Sequence, residues 1–159
     1  RPVKLRFEPC SINELISSCL DILKVTIREK EITVIEKLAK RVSPVLMDGE
    51  KIEQAVINIL LNAIEVLPPG GVLSIATRSR RLDHRLFISV EFSDNGPGVT
   101  PEDLPYIFDP FFSKKKKGTG LGLANVKKVV DAHGGKIAAS ASPKGFSLSV
   151  LIPVRKNHG

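Results

Sequence analysis

The sequence has no tryptophan, one tyrosine, one methionine and two cysteines, and aromatic residues make up 5% of its 159 positions. Two cysteines cannot form the disulfide framework that staples small secreted domains. A predicted helix begins just after Cys10 and contains Cys19, which holds the pair beyond the span of one disulfide, so both read as free thiols of a reducing compartment. No apolar run approaches the ~18 residues of a membrane span. No basic-then-apolar leader with a small-residue cleavage site marks export. The chain begins at Arg1 without a methionine, as a piece of a longer protein would. The scarcity of aromatics also counts against a platform for single-stranded nucleic acid, which stacks bases on interleaved rings.

What is present fits one soluble domain spanning 1–159, with 42% hydrophobic residues and no linker or internal repeat. The formal net charge is +7, and the run Lys114 to Lys117 supplies four of those charges, leaving 7 − 4 = +3 for the rest. The arginines Arg78, Arg80, Arg81 and Arg85 with that lysine run are the only basis for a nucleic-acid reading. The expectation is no nucleic-acid partner.

Val3 to Phe7 alternates as a strand. Ser11 with Glu14 three residues later has the capping-box pattern and opens a helix with apolar positions Ile12, Leu15, Ile16, Cys19, Leu20 and Leu23. Ile32 to Ile35 and Val45 to Met47 read as short strands. Asp48 caps a second helix to about Leu67, ended by Pro68-Pro69-Gly70-Gly71. Val72 to Thr77 and Leu86 to Phe92 read as strands joined by a basic loop. An irregular stretch from Ser93 to Thr119, interrupted by a short helix after Pro101, precedes a third helix over about Gly120 to His133. Lys136 to Ser140 and Phe146 to Ile152 form a terminal hairpin. The economical packing is a two-layer α/β sandwich, with a mixed, mainly antiparallel sheet and helices on one face.

Three places carry chemistry. On the second helix, Asn58, Asn62 and Glu65 interrupt an apolar run at i, i+4 and i+7 and share one stripe. Asparagine is a poor helix former and costly to bury unpartnered, so the stripe reads either as exposed or as oxygen ligands facing a cleft, a donor type that suits Mg²⁺. Ser93-Asp94-Asn95-Gly96-Pro97-Gly98 follows a strand, placing a carboxylate beside a glycine-walled turn where it can accept from an adenine amino group. Gly118-Thr119-Gly120-Leu121-Gly122-Leu123-Ala124 opens a helix, where exposed backbone amides and the helix dipole favour phosphate. It lacks the Gly-Lys-Ser/Thr of a Walker loop, and Leu123 stands where a dinucleotide fingerprint needs its third glycine.

The order and spacing of these motifs, with Ile107-Phe108-Asp109-Pro110-Phe111-Phe112 between them, resemble the N box, first glycine box, F box and second glycine box of sensor histidine kinases. These belong to the wider group of gyrase-type and mismatch-repair ATPases. The resemblance runs from about Phe7 to Pro153, and Asn62-Ala63-Ile64-Glu65 followed by Pro68-Pro69-Gly70-Gly71 is similar to the nitrogen-regulation branch. It implies a catalytic ATP-binding domain with ATP and Mg²⁺ as cofactors. Asn62 would coordinate Mg²⁺, supported by Asn58. Asp94 would bind the adenine amine, with Gly96 and Gly98 shaping the pocket and Ile107 lining the base. Thr119, Gly120, Leu121, Gly122 and Leu123 would surround the phosphates, with Lys117 of the lysine run over them as part of an ATP lid.

The resemblance also bears on the reaction. The gyrase-type ATPases carry a glutamate general base where this chain has Asn58, and an amide cannot take a proton at neutral pH. Neutral imidazole is already nucleophilic, so Asn58 points to a histidine acceptor rather than to water. The chain departs from the pattern at Glu65, where many relatives have a phosphate-binding lysine, and at Phe146, where they have a threonine. No acceptor motif surrounds His84, His133 or His158, so the expected partner is the dimerisation and phospho-acceptor domain of the same homodimeric kinase, with a response regulator further on. The domain itself is expected in the cytoplasm, whether or not its parent is anchored to a membrane. A gyrase-like ATPase and a binding-only pseudokinase are the alternatives.

Overall fold

The computed structural model describes residues 4–110, 112 and 122–155. Strand β1, Glu8–Cys10, leads into helix α1, Ile12–Ile22, whose N-cap Ser11 accepts from the Glu14 N–H at 3.3 Å. Helix α2, Lys24–Glu29, follows after the single junction residue Leu23. Strands β2, Thr33–Lys37, and β3, Val45–Met47, precede helix α3, Gly49–Val66. The carboxylate of Asp48 caps α3 by accepting from the Lys51 N–H at 3.1 Å. Leu67 ends the helix in an extended conformation (φ −73°, ψ 135°), as the residue before Pro68 is sterically driven to do.

Strands β4, Val72–Leu82, and β5, Arg85–Asp94, form one long hairpin. A 3-10 turn at Leu104–Tyr106, helix α4 (Gly122–Ala132) and strands β6 (Lys136–Ser142) and β7 (Gly145–Pro153) complete the fold. The main sheet has the order β2-β4-β5-β7-β6, and only the β2–β4 pair is parallel. β1 and β3 make a separate antiparallel pair. Ile88, Val90 and Phe92 of β5 and Leu148, Val150 and Ile152 of β7 alternate into one face and meet Ile16, Leu60 and Val126 of the helices in a single core. The result is the two-layer α/β sandwich expected, with a mixed, mainly antiparallel sheet.

Four local expectations are corrected. The first strand lies at Glu8–Cys10 and not over Val3 to Phe7. The Arg6 N–H donates to Asp48 Oδ2 at 2.9 Å, so this backbone serves the α3 cap instead of a ladder; Val3 lies outside the described residues. The first helical stretch breaks at Leu23 and continues as α2. The helix after Pro101 is a single 3-10 turn containing Pro105.

The fourth correction is the basic loop, which is instead the far end of the β4–β5 hairpin, paired through Leu82↔Arg85. Asp83 and His84 both have positive φ (48° and 65°), the left-handed pair of a type I′ turn whose twist matches that of the strands. Arginines at these positions hide the apolar alternation that marks a strand, and the turn sets the register in its place.

Candidate functional site

Asn58 and Asn62 lie half-buried on α3, and Glu65 is exposed one turn further on. Neither asparagine amide has a hydrogen-bond partner among the described residues. Asn62 faces the start of α4: a Cβ on Gly122 would stand 3.2 Å from Asn62 Nδ2. A side chain there would press on the amide more tightly than ordinary van der Waals contact, so glycine suits the close approach of the α4 terminus. Leu123 beside it is half-buried and packs on the core. The second glycine-rich motif therefore meets the asparagine stripe, although the two are some sixty positions apart in sequence.

Asp94 ends β5. Its Oδ1 accepts from the Gly96 N–H at 2.9 Å. A Cβ on Gly96 would press within 3.1 Å of that same oxygen and 3.2 Å of Leu67 Cδ2, so the absence of a side chain at residue 96 eases the closing of the turn on the carboxylate. Burial pushes the Asp94 carboxyl above its ordinary range, partly offset by N–H groups of Gly96 and Phe146 that favour the ionised form. Asn95 anchors the turn to β4, with its Oδ1 accepting from the Val72 N–H at 2.8 Å. Gly98 adopts φ +75°, and a Cβ there would meet the carbonyl oxygens of Ser142 at 3.0 Å and Gly145 at 3.2 Å. Ile107 is 4% exposed.

The structure thus brings Asn58, Asn62, Gly122 and Leu123 to one place, and Asp94, Gly96 and Gly98 to the end of the sheet beside it. Lys117, Thr119, Gly120 and Leu121 lie outside the described residues, as do the rest of the Lys114 to Lys117 run and His158.

Sequence reasoning missed the β6–β7 side of the site. A cavity of about 230 Å³ opens beside Asp94, lined by Ser140, Ser142, Lys144, Gly145 and Phe146. Gly145 has φ +146°, and a Cβ there would collide with the Asp94 carbonyl oxygen. Phe146 pairs directly with Asp94 across the β5–β7 ladder and turns its N–H to the carboxylate. It does so with its backbone, so the phenylalanine in place of a threonine leaves that contact intact. The sequence signals here were the departure at Phe146 and the Lys144-Gly145 turn pattern, neither of which indicates the partner strand.

His133 is also more than a helix end. It is fully buried, and its Nε2 accepts from the Asp48 N–H at 3.0 Å while Nδ1 lies 2.8 Å from the Val129 carbonyl oxygen. A backbone N–H can only donate and a carbonyl can only accept, so the ring is the neutral tautomer protonated at Nδ1. Burial holds its pKa below the ordinary 6.5, and the nearby Arg155 acts in the same direction, against the Val129 carbonyl and Asp48. The bond ties the C-terminal end of α4 to the N-cap of α3, opposite the end where Asn62 and Gly122 meet.

Comparisons with known proteins agree with this arrangement. A family profile described as histidine kinase-, DNA gyrase B-, and HSP90-like ATPase matches residues 47–156. The sensor histidine kinase ZraS of Klebsiella oxytoca is 34% identical over 97% of this chain and 33% of its own length. The sensory histidine kinase/phosphatase NtrB of Salmonella typhimurium is 37% identical over 69% of this chain and 33% of its own. The chain thus spans about one third of the length of these relatives. Among solved structures, the nucleotide-free catalytic domain of histidine kinase ThkA superposes with a TM-score of 0.85 at 30% identity, covering 94% of this chain and 97% of that one.

Proposed function

The chain belongs to the histidine kinase-, DNA gyrase B-, and HSP90-like ATPase family as a histidine kinase catalytic domain, and from that premise we propose that it binds Mg-ATP and donates the γ-phosphoryl group to a histidine on a separate phospho-acceptor domain. The observation that carries this reading is the close approach of Gly122, at the start of α4, to the half-buried Asn62 amide on α3, one turn past the half-buried Asn58. Both amides are reached by solvent, so a ligand can meet them without first displacing another side chain among the described residues.

In this reading Asn62 holds the metal through its carbonyl oxygen, with Asn58 supporting it. Mg²⁺, when bound, supplies positive charge against the triphosphate oxygens. Gly122 and its neighbours Thr119, Gly120 and Leu121 would offer backbone amides to the phosphates, with Leu123 anchoring the helix start to the core and Lys117 as a further cation. Asp94 accepts from the adenine amino group, Gly96 and Gly98 shape the turn around the base, and Ile107 contributes an apolar wall.

The transfer breaks the bond between the γ-phosphorus and its bridging oxygen, whose electron pair leaves with ADP. A neutral imidazole nitrogen of the acceptor supplies the pair for the new P–N bond. Asn58 cannot take a proton from water, so hydrolysis lacks its base while imidazole needs none.

ThkA has been solved in complex with the response regulator protein TrrA. We propose the same order of partners here: a homodimeric parent kinase, its phospho-acceptor domain, then a response regulator. Residues 1–159 act as one catalytic unit, and we place it in the cytoplasm. No helix among the described residues is long and apolar enough to cross a membrane.

The test is to incubate the chain with ATP, Mg²⁺ and the phospho-acceptor segment of its own kinase. Acid-labile phosphate should appear on that segment and none on the chain alone. Steady ATP hydrolysis without acceptor would select the gyrase-like chemistry instead, and nucleotide binding with no transfer would make the domain a binding module.

A further inference from the structure

The β4–β5 hairpin carries a cluster of charge that the proposed reaction does not use. β2 pairs with β4 only from Val72 to Ala76. There the chain leaves the sheet, fixed by a knot in which the Ala39 N–H donates to Thr77 Oγ1 at 2.9 Å, Thr77 Oγ1 donates to Asn13 Oδ1 at 2.8 Å, and Asn13 Nδ2 donates to the Ala39 carbonyl at 2.8 Å. Past this knot, Arg78 to Leu82 of β4 have no strand on their outer edge among the described residues.

Backbone alternation shows which groups face that edge. The Thr33 N–H of β2 donates to the Gly71 carbonyl, whereas the Val72 N–H and carbonyl bond Asn95 on the β5 side. Odd-numbered residues of β4 therefore direct their amides toward the β2 edge, and the uninterrupted register carries this parity to Ser79 and Arg81. Their N–H and C=O groups stand open.

The same region is strongly basic. Arg78, Arg80, Arg81 and Arg85 lie on the hairpin, and Lys40 and Arg41 follow the knot directly. None of these six side chains makes a hydrogen bond or ion pair among the described residues; the Arg85 guanidinium lies 5.6 Å from the centre of the Phe87 ring. Asp83 is the one acid at the tip.

We propose that this open edge is a docking site for an extended acidic polypeptide segment, which adds as a strand beside Ser79 and Arg81 while its carboxylates pair with the surrounding arginines. Strand addition at an edge supplies main-chain hydrogen bonds, and the side chains supply selectivity. A row of like charges on an edge strand repels a second copy of itself, so a partner of opposite charge fits where another copy of this chain does not. Nucleic acid fits less well: Phe87 and Phe92, the phenylalanines of the hairpin, are each 3% exposed and offer no stacking face, which leaves the His84 imidazole as its one exposed ring, and unpaired backbone amides match another peptide. β5 separates the tip from Asp94 by ten residues, about 30 Å, so a segment docked here leaves the Asp94 turn open.

The probe is a fluorescein-labelled peptide of alternating Glu and Val, titrated by anisotropy against the full chain. Controls are its Lys–Val counterpart, a version with a central proline, and a single-stranded oligonucleotide. The Glu–Val peptide alone should bind, more weakly as salt rises, and the Ser79 and Arg81 amides should gain protection from hydrogen exchange. Charge reversal of Arg80 and Arg81 to Glu should weaken binding about tenfold or more. Ser79→Pro should do the same, because it removes an edge-facing N–H without breaking the β4–β5 ladder. Both variants should keep the thermal stability and nucleotide affinity of the parent. Absence of peptide binding, equal binding by the proline peptide, no protection at Ser79 and Arg81, or no loss in the variants overturns the proposal. Tighter binding of the oligonucleotide than of the peptide overturns it in favour of a nucleic-acid surface.

Discussion

Replacing His133 with alanine should be among the most damaging single changes in this domain, although the residue touches no part of the candidate cleft. The substitution removes the acceptor of the Asp48 N–H and leaves a buried donor without a partner, at about 1–3 kcal/mol. It also empties a fully buried ring volume against which Phe7 packs edge-on, with ring centroids 5.6 Å apart, at a further ~2 kcal/mol. At 2–4 °C per kcal/mol for a chain of this size, the sum of about 3–5 kcal/mol lowers Tm by roughly 6–20 °C. The same site has a pH signature. Its folded pKa lies below the unfolded 6.5, so the unfolded chain binds the proton more readily. The contribution of His133 is complete above about pH 6.5 and is lost as pH falls through the depressed folded value. His133→Gln can both accept and donate but does not titrate, so it should recover part of the stability and lose that pH dependence. Urea melts followed by circular dichroism at several pH values measure both effects. An alanine variant melting within about 2 °C of the parent, or parent and glutamine variants with superimposed pH profiles, would refute the reasoning.

Three further outcomes are expected. Asn62→Ala should weaken Mg-nucleotide binding, measured by calorimetry, while shifting the apo melting temperature little, because its amide supports no other described residue; a large drop in stability at unchanged affinity would make it a structural residue. Asp94→Ala should lower affinity for ATP but not for GTP, whose carbonyl opposes the carboxylate; the loss is about 1.5–3 kcal/mol, roughly 10- to 150-fold in titrations. Gly145→Ala should destabilise by at least ~1–3 kcal/mol in denaturant melts and weaken ATP binding as well, since the added Cβ displaces the Asp94 carbonyl.

The helices were the most legible part of the chain, for local reasons. Asp48 and Pro68 bound α3, and from Ala55 its apolar run is interrupted only at Asn58, Asn62 and Glu65, so both the element and its polar stripe could be read directly. The sheet could be read only as strands. Nothing local indicates that β2 runs parallel to β4, or that Asp94 stands opposite Phe146. The role of Gly145 therefore stayed hidden, although its turn pattern was plain. His133 was placed correctly at the end of α4, but its partner Asp48 is 85 positions away, and only packing reveals that the imidazole is an interior bond. The arginine-rich stretch misled for the opposite reason: a left-handed turn at Asp83-His84, not buried side chains, defines that hairpin.

The place of β7 in the sheet has a consequence for how the chain is made. β7 follows every other described element in the sequence, yet it sits between β5 and β6, near the middle of the sheet. As the polypeptide leaves the ribosome at about 5–20 residues per second, β4 and β5 can pair at once through their tight turn. β5 must then wait several seconds, with Ile88, Val90 and Phe92 incompletely covered, until β7 is translated. Strand β6, made earlier, also has no partner until β7 arrives between it and β5. During synthesis the exposed flank of β5 is therefore the surface most in need of a chaperone, and any truncation that removes β7 leaves a three-stranded β2-β4-β5 remnant and a β6 with no partner.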